Sequence, residues 1–333
     1  MHFFLAHEKW FIDTSHFPRR IDMMLAPKPM TFIGVILALV ALLGVIWLKR
    51  KRKGFLPGPL MLGASPERMC GFYGLVPVIL AIHLAVPLLV AGTQRILFTP
   101  NNPLTGMPAY FMGLAMTGCA LAFFYGGFTR IAAIVLALLW FAGWFLVGVE
   151  PMLDNLPILG FAAFFFLAGR GPISIDRLIF PRLEPSPAQT ARAIPALRVL
   201  LGLGLTVVAF TEKFANLPMA LAFLKQYPVN FTPNFGVPMS DETFICCAGA
   251  VELLAGLCIT FGIFQREIVL ITWIPINMSL SYFNWSGTEM VGHLPIYGAM
   301  AVLLVWAPDG THVPLFLRGL REGPLGIEWP KAT

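Results

Sequence analysis

Long apolar runs alternate along the chain with short segments that contain polar residues, Pro and Gly. Runs near 20 residues are typical of helices that cross a hydrocarbon layer about 30 Å thick. Several runs are shorter, but the chain continues apolar beyond some of their ends. We therefore predict an all-α, polytopic membrane protein. Its nine predicted spans are residues 31–48, 70–92, 108–127, 131–149, 156–169, 195–212, 243–264, 268–283 and 293–307.

The composition favours the same class of protein. Hydrophobic residues make up 57% of the chain and charged residues 12%, with a mean hydropathy of +0.77, whereas a soluble domain has about 25% charged residues. The net charge of +6 is interpreted as a signal of orientation and not of nucleic-acid binding. The five cysteines have no CxxC or metal-type spacing, so no disulfide framework or zinc site is predicted.

Lys and Arg are distributed unevenly over the predicted loops. With the N-terminus outside, sixteen of the 23 Lys and Arg residues fall on the cytoplasmic side, as the positive-inside rule requires. We therefore predict a multi-pass protein of a bacterial-type cytoplasmic (inner) membrane, with its N-terminus outside and its C-terminus inside. Four positive charges within residues 1–30 oppose this bias.

The chain carries an internal repeat. Asn155–Gly160 corresponds to His293–Gly298 at an offset of 138, and Tyr125–Arg130 corresponds to Phe261–Arg266 at an offset of 136. Four predicted spans separate equivalent helices, so both copies have the same direction and the repeat is parallel, unlike the inverted repeats of many transporters. The prediction is two parallel-repeat four-helix transmembrane bundles plus one extra N-terminal transmembrane helix.

The predicted organisation has six parts. Residues 1–30 are interpreted as a helical segment at the outer membrane interface, with a disordered tail as the alternative; their apolar stretch is too short for a signal peptide. The other parts are a transmembrane anchor with a basic linker (31–66), the first bundle (67–182), a linker (183–194), the second bundle (195–310) and a cytoplasmic tail (311–333).

Glu252 is the candidate catalytic residue that the pattern singles out. It lies within an apolar helix, on the order of 13 Å from the predicted outer end. An ionisable group at that depth is costly and needs a partner or a bound proton, which makes it a functional-site hypothesis. It would act as a proton acceptor or as a hydrogen-bond partner for a quinone headgroup. The alternative is a structural salt bridge or a protonated structural carboxyl.

The second copy supplies further candidates toward the outer side. Lys213 is proposed as counter-ion to Glu252 and as a catalytic residue, with an interfacial anchor as the alternative. His293 is the third catalytic candidate because it can exchange protons near neutral pH, although it could also cap a loop. The ligand-binding candidates of this copy are Glu212, Asn277 and Trp285.

The first copy supplies two further ligand-binding candidates. His83 lies in the middle of a span, where a haem ligand is conceivable, but no second histidine lies at similar depth. A structural histidine or a residue of a second ligand site is favoured. Arg95, at the outer end of that span, could attract an anion or anchor the helix. No haem, flavin or metal motif is identified.

Several segments of the chain resemble the DoxX family of integral membrane proteins, whose members include the membrane subunit of a thiosulfate:quinone oxidoreductase. The resemblance covers roughly residues 68–310, one four-helix unit per copy. It rests on Arg198, Gly202, Glu212-Lys213-Phe214, Glu252-Leu253-Leu254-Ala255-Gly256, Gly292-His293-Leu294-Pro295 and Gly169-Arg170-Gly171-Pro172-Ile173-Ser174-Ile175-Asp176. Neither copy is complete, since the glycine-rich ending belongs to the first and Glu252 and His293 to the second.

The resemblance implies a redox-associated membrane protein that uses quinone, with thiosulfate or another small sulfur species as electron donor. A partner protein would then carry the electron-transfer cofactor. The alternative is a non-enzymatic scaffold or accessory subunit, whose outer loops (93–107 and 213–242) would bind another membrane or periplasmic protein. A small-molecule transporter is disfavoured by the parallel repeat. The expected partners are the lipid bilayer and such a protein, and not nucleic acid.

Overall fold

A computed structural model describes residues 7–18, 20–180, 184–282, 284 and 286–324. The chain is 74% helical, and no strand occurs among these residues. The all-α class is therefore confirmed. The principal helices are α1 (Pro27–Lys49), α2 (Pro66–Gln94), α3 (Gly106–Tyr125), α4 (Thr129–Leu146), α5 (Leu156–Ala168), α6 (Ala193–Val208), α7 (Leu217–Gln226), α8 (Asp241–Phe261), α9 (Gln265–Tyr282), α10 (Gly287–Val305) and α11 (Val313–Glu322).

Each of the nine predicted spans overlaps one of these helices, with ends that differ by up to six residues. Seven helices in the described part of the chain are long and apolar enough to cross a membrane, and these are α1, α2, α3, α4, α6 with its flanking turns, α8 and α10. The other two predicted spans differ in length or polarity. α5 has only 13 residues, and α9 begins with Gln265-Arg266-Glu267.

The turn between α3 and α4 has the same backbone form as the turn between α8 and α9. Gly126 and Gly262 end the first helix of each pair in the left-handed region, at φ 70° and 72°. Phe128 and Phe264 follow at φ 54° and 45°, a conformation that side chains seldom adopt. In both turns the amide after the glycine donates to the carbonyl five residues earlier, over 3.0 and 2.9 Å. All equivalent positions differ by 136, as the repeat predicts.

The glycine-rich segment after α5 holds the α3–α4 turn in place. Arg170 Nε donates to the Phe123 carbonyl at 2.8 Å, at the end of α3. Asp176 Oδ2 accepts from the Thr129 amide at 2.8 Å, at the start of α4. Charged side chains at these helix ends satisfy backbone groups that lack helical partners. The polar residues of this segment thus have a structural role in the fold.

The described contacts divide the chain into two compact units. Unit I comprises Met1–Lys53 and Gly202–Val291, and unit II comprises Gly54–Leu201 and Gly292–Thr333. The boundary between Leu201 and Gly202 falls inside α6, and the boundary between Val291 and Gly292 falls inside α10. The units therefore group the helices differently from the bundles predicted at 67–182 and 195–310, which stay a prediction from the repeat.

Helices α6 and α8 pack closely inside unit I. A Cβ atom at Gly202 would lie 2.6 Å from the Gly256 carbonyl oxygen, and one at Gly256 would lie 2.8 Å from the Gly202 carbonyl oxygen. Thr206 and Thr260, four residues further along each helix, donate to these same carbonyls at 2.9 and 2.8 Å. Small residues at this spacing let membrane helices approach each other closely. The crossing brings the C-terminal end of α6 beside the middle of α8.

The N-terminal segment folds against unit I. Two short 3-10 turns, Glu8–Trp10 and Thr14–His16, precede α1. The Arg20 amide donates to the Ala215 carbonyl at 3.0 Å, and Asn216 Nδ2 donates to the Phe17 carbonyl at 3.3 Å. This ordered packing corrects the alternative of a disordered tail for the described part of residues 1–30.

Two of the positive charges that opposed the charge bias have acidic neighbours. Lys28 Nζ lies 2.9 Å from Glu242 Oε2, and Arg20 pairs with Asp22. A third, Lys9, is buried. The outside position of the N-terminus stays a prediction from the distribution of Lys and Arg, to which acidic neighbours contribute little.

Candidate functional site

A π-helical turn places two consecutive charged side chains in the interior of unit I. α6 continues beyond Val208 as a π-helix over Ala209–Phe214, which ends with the Ala215 amide bonded to the Phe210 carbonyl at 2.8 Å. In an α-helix, neighbouring side chains point about 100° apart, so one of two consecutive residues usually faces away from the core. Here Glu212 and Lys213 are both buried, each 2% exposed. Turns of this kind often occur at functional sites.

Lys213 and Glu252 form a buried ion pair. Glu252 lies near the middle of α8, and its Oε2 atom is 3.0 Å from Lys213 Nζ. Neither atom has an aligned hydrogen-bond partner among the described residues, so the contact is an ion pair with hydrogen-bonding capacity left over. The sequence prediction that Lys213 is the counter-ion of Glu252 is confirmed.

The N-terminal segment adds two ionisable residues to this pair. The Glu8 amide donates to Glu212 Oε2 at 3.0 Å, and Glu8 Oε1 lies 3.7 Å from Lys213 Nζ. His7 Nδ1 lies 3.4 Å from Glu212 Oε1. We call His7, Glu8, Glu212, Lys213 and Glu252 the charged cluster.

Aromatic packing holds the N-terminal segment over the cluster. The Phe11 ring lies 6.4 Å from the Phe223 ring of α7 and 5.9 Å from the Tyr227 ring. These rings belong to an apolar core that also includes Val229 and Phe244. Because this core orders the segment just after Glu8, it fixes the position of His7 and Glu8 at the cluster.

Burial changes the acidity of both N-terminal members. Burial raises the pKa of Glu8 to about 8, against the opposing charge of Lys213. Burial by itself would lower the pKa of His7, but the bond to Glu212 and the charges of Glu212, Glu252 and Glu289 outweigh it, so the pKa lies above 6.5. At pH 7 Glu8 therefore mostly retains its proton, and the cluster contains groups that exchange protons near neutral pH.

The remaining predicted candidates of the second copy are Asn277, Trp285 and His293. Asn277 is exposed, and its side-chain amide donates to the Trp273 carbonyl one turn earlier, at 2.7 Å. Trp285 lies outside the described residues. His293 is buried inside α10, in the part of the chain that belongs to unit II. The sequence predicted His293 at the start of this span. That position is wrong, because α10 begins six residues earlier, at Gly287.

The two candidates of the first copy lie in unit II. His83 Nδ1 bonds to the Ile79 carbonyl of its own helix at 2.7 Å, and its ring packs against Gly298. The Arg95 guanidinium lies 4.4 Å from the centre of the Tyr110 ring, a cation–π contact at an exposed position. Both residues thus have contacts within the fold, and their ligand-binding roles stay predictions. In the described part of the chain no three His, Cys, Asp or Glu residues are grouped as metal ligands.

Sequence reasoning missed His7, Glu8 and Glu289. Glu289 is fully buried at the start of α10 and accepts from Ser279 Oγ at 3.2 Å. One signal for the first two was present: three ionisable residues, His7 to Lys9, directly precede Trp10-Phe11. Such a mixture of charged and aromatic residues is also typical of a segment that inserts its side chains into a protein interior.

Comparison of the chain with protein-family models, with curated proteins and with solved structures finds no match.

Proposed function

We propose that this integral membrane protein binds a quinone headgroup at the charged cluster and exchanges protons with it, as part of a quinone-linked oxidoreductase. One observation carries the proposal. A buried ion pair between two membrane helices, Lys213 and Glu252, is joined by a second carboxyl, Glu8, that titrates near neutral pH. Ionisable groups inside a membrane protein are expensive and usually serve a site.

The available atoms suit the oxygen atoms of a quinone. Among the described residues, no aligned hydrogen bond uses the donor capacity of Lys213 Nζ, and none reaches Glu8 Oε2 or Glu252 Oε2. An ammonium can donate to a quinone carbonyl, and a protonated carboxyl can donate to a reduced quinone oxygen. The surrounding helices are apolar, as the ring and tail of a quinone require.

The reaction needs an electron donor, for which the resemblance to the DoxX family suggests a small reduced sulfur anion. Two thiosulfate ions would lose two electrons and join through a new S–S bond to form tetrathionate. The quinone would accept these two electrons and two protons to become a quinol. A partner subunit would carry the electrons, and the cluster would supply the protons.

Binding can be tested without knowledge of the electron donor. The purified protein in lipid nanodiscs is titrated with a short-tailed quinone, and binding is followed by quenching of tryptophan fluorescence. We expect Lys213→Met and Glu252→Gln to weaken binding by about tenfold or more, since one charge-assisted hydrogen bond contributes about 1.5–3 kcal/mol. Lys225→Met is the matched control, because Lys225 is exposed in the same unit.

The outcomes separate the proposed function from its alternative. Specific saturable binding that Lys213→Met weakens and Lys225→Met preserves would support the quinone site. Absence of binding to the folded wild-type protein, together with co-purification of a defined partner subunit, would favour the accessory scaffold.

A further inference from the structure

We propose that the N-terminal segment is the proton port of the buried site, with His7 and Glu8 passing protons between the aqueous phase and Glu252. The inference rests on the proposed function for its purpose, because a site that reduces quinone consumes protons. Its structural basis is a chain of ionisable groups that leads from the surface of unit I to the middle of α8.

His7 is the most exposed member of the cluster. Its side chain is 18% exposed, whereas those of Glu8 and Glu252 are 9% and 7% exposed and those of Glu212 and Lys213 are each 2% exposed. A proton that reaches Glu252 along these described groups has its most open entry at His7.

The distances connect these groups in order. His7 Nδ1 lies 3.4 Å from Glu212 Oε1, and Lys213 Nζ lies 3.8 Å from Glu212 Oε2. Lys213 Nζ also lies 3.7 Å from Glu8 Oε1 and 3.0 Å from Glu252 Oε2. Rotation of the flexible Lys213 side chain closes the two longer gaps, so its amine can reach all three carboxyls.

The transfers balance proton by proton. The His7 imidazolium gives its proton to the Glu212 carboxylate and takes another from water. The Lys213 ammonium gives a proton to the Glu252 carboxylate, and the neutral amine recovers one from the carboxyl of Glu8. The Glu8 carboxylate is then protonated again from Glu212 through the Lys213 amine. Each cycle leaves the port unchanged and delivers one proton to Glu252.

The environment of the two N-terminal groups suits this role. Glu8 faces Lys213, Glu212 and Glu252 and adjoins Lys9, while His7 faces Glu212, Glu252 and Glu289. The pKa of Glu8, about 8, and the raised pKa of His7 place both groups where protons are gained and lost near neutral pH. Groups with pKa values near the working pH transfer protons most efficiently.

The test measures proton transfer directly, without quinone or an electron donor. The full-length protein in nanodiscs is given a pH jump by rapid mixing, and the carboxylic-acid C=O band of buried carboxyls is followed by time-resolved infrared spectroscopy. We expect His7→Ala and Glu8→Gln each to lower the rate at which this band appears by tenfold or more. Added imidazole should restore the rate in His7→Ala. His16→Ala is the control, because His16 lies in the same segment with a side chain that is 80% exposed.

The direction in which the protonation rate changes distinguishes a proton port from a segment that only shields the cluster from water. If the segment only shielded the cluster, His7→Ala would loosen it, admit water and accelerate protonation, and this result would overturn the proposal. Equal rates in wild type, His7→Ala and Glu8→Gln would overturn it as well. Quinone titration of the wild-type protein is a separate measurement, so failure of the proposed function and failure of the port can be told apart.

Discussion

Lys213 Nζ lies 3.0 Å from Glu252 Oε2, and both side chains are buried within unit I. The two residues are 39 positions apart in the sequence, and the π-helical turn at the end of α6 directs Lys213 toward α8. A buried pair of this kind is weak support for stability, because the loss of hydration of both ions offsets much of their attraction. The proposed role of the pair in quinone binding therefore does not depend on a contribution to stability.

The first prediction concerns the loss of one partner of this pair. Glu252→Gln removes the nearest negative charge from Lys213, while Glu8 and Glu212 remain at 3.7 and 3.8 Å. Because Glu212 compensates part of the buried charge and Glu8 can lose its proton to compensate more, we expect a loss of unfolding free energy of about 1–3 kcal/mol, below the 3–5 kcal/mol typical of a fully broken buried pair. Denaturant unfolding in detergent, followed by circular dichroism, measures this loss.

The double variant Lys213→Met/Glu252→Leu supplies the control for this prediction. Two apolar residues leave no unpaired ion, so the double variant should be more stable than the sum of the single effects indicates. Strictly additive effects of Lys213→Met and Glu252→Leu would show that the two side chains are not coupled, in contradiction to the observed contact.

The second prediction concerns the dependence of stability on pH. Glu8 has a pKa of about 8 in the folded protein, above its ordinary value of 4.5, so the folded state binds more protons than the unfolded state between these values. Stability from this group is fully present below pH 4.5 and is lost as the pH rises through about 8. The raised pKa of His7 acts in the same direction, with a loss as the pH rises from 6.5 through its folded value.

We therefore expect the unfolding midpoint of the wild-type protein to fall by several degrees between pH 6 and pH 9, as a change of one or two kcal/mol would produce. In Glu8→Gln the side chain at this position is uncharged at every pH. The unfolding midpoint of this variant should therefore depend less on pH. Asp13→Asn, at an exposed position of the same segment, should leave this dependence as in wild type. An equally steep slope in Glu8→Gln would assign the pH dependence to other groups.

The sequence predicted the helices and the Lys213–Glu252 pair because local apolar pattern and the cost of a buried charge determine both. It missed the contribution of His7 and Glu8 because their contacts with Glu212 cross 205 and 204 residues, and no local pattern encodes such pairing. The π-helical turn was missed for a related reason: packing of the Glu212 and Lys213 side chains selects it over a regular α-helix.

Asn277, predicted as a ligand-binding residue, shows a second limit of local pattern. Its side-chain amide donates to the carbonyl of Trp273 in its own helix. The position of a polar residue in the sequence does not reveal which face of the helix it occupies. That face depends on how neighbouring helices pack, which a single sequence does not determine.

The third prediction tests the close approach of α6 and α8. A Cβ atom at Gly256 would lie 2.6 Å from the Thr206 amide nitrogen and 2.8 Å from the Gly202 carbonyl oxygen, so Gly256→Ala must push the helices apart. We expect a loss of about 1–3 kcal/mol from this overpacking. Gly118→Ala is the matched control, because nothing lies within 4 Å of its Cβ position in α3. That variant should be neutral or more stable by up to about 1 kcal/mol. Thermal unfolding in one detergent compares the two, and equal effects would contradict the described crossing.

The last prediction concerns membrane topology and decides whether α5 and α9 cross the bilayer. Asp176, which follows α5, bonds to the Thr129 amide at the start of α4. These residues must therefore lie on the same side of the membrane. Because α4 crosses the membrane away from that side, the chain must cross back through α5. It must do so although α5 has only 13 residues.

The same reasoning applies to α9. Arg177 Nη1 and Nη2 donate to the carbonyls of Leu320 and Arg321, both at 2.6 Å, so these residues also share one side. Between them lie α6, α7, α8, α9 and α10, of which α7 has only 10 residues. Three of these belong to the seven long apolar helices, and three crossings would separate Arg177 from Arg321. Arg177 and Arg321 lie on the same side only if the number of membrane crossings between them is even. We therefore expect α9 to cross as well.

Reporter fusions after Lys53, after Arg177 and at the C-terminus test this topology. With nine crossings and the N-terminus outside, all three should read cytoplasmic, as the predominance of Lys and Arg in those segments predicts. A periplasmic reading at Arg177 with a cytoplasmic reading at Lys53 would mean that one of α2 to α5 does not cross. Opposite readings at Arg177 and at the C-terminus would contradict the Arg177 contacts themselves, since hydrogen-bonded residues cannot lie on opposite faces of a bilayer.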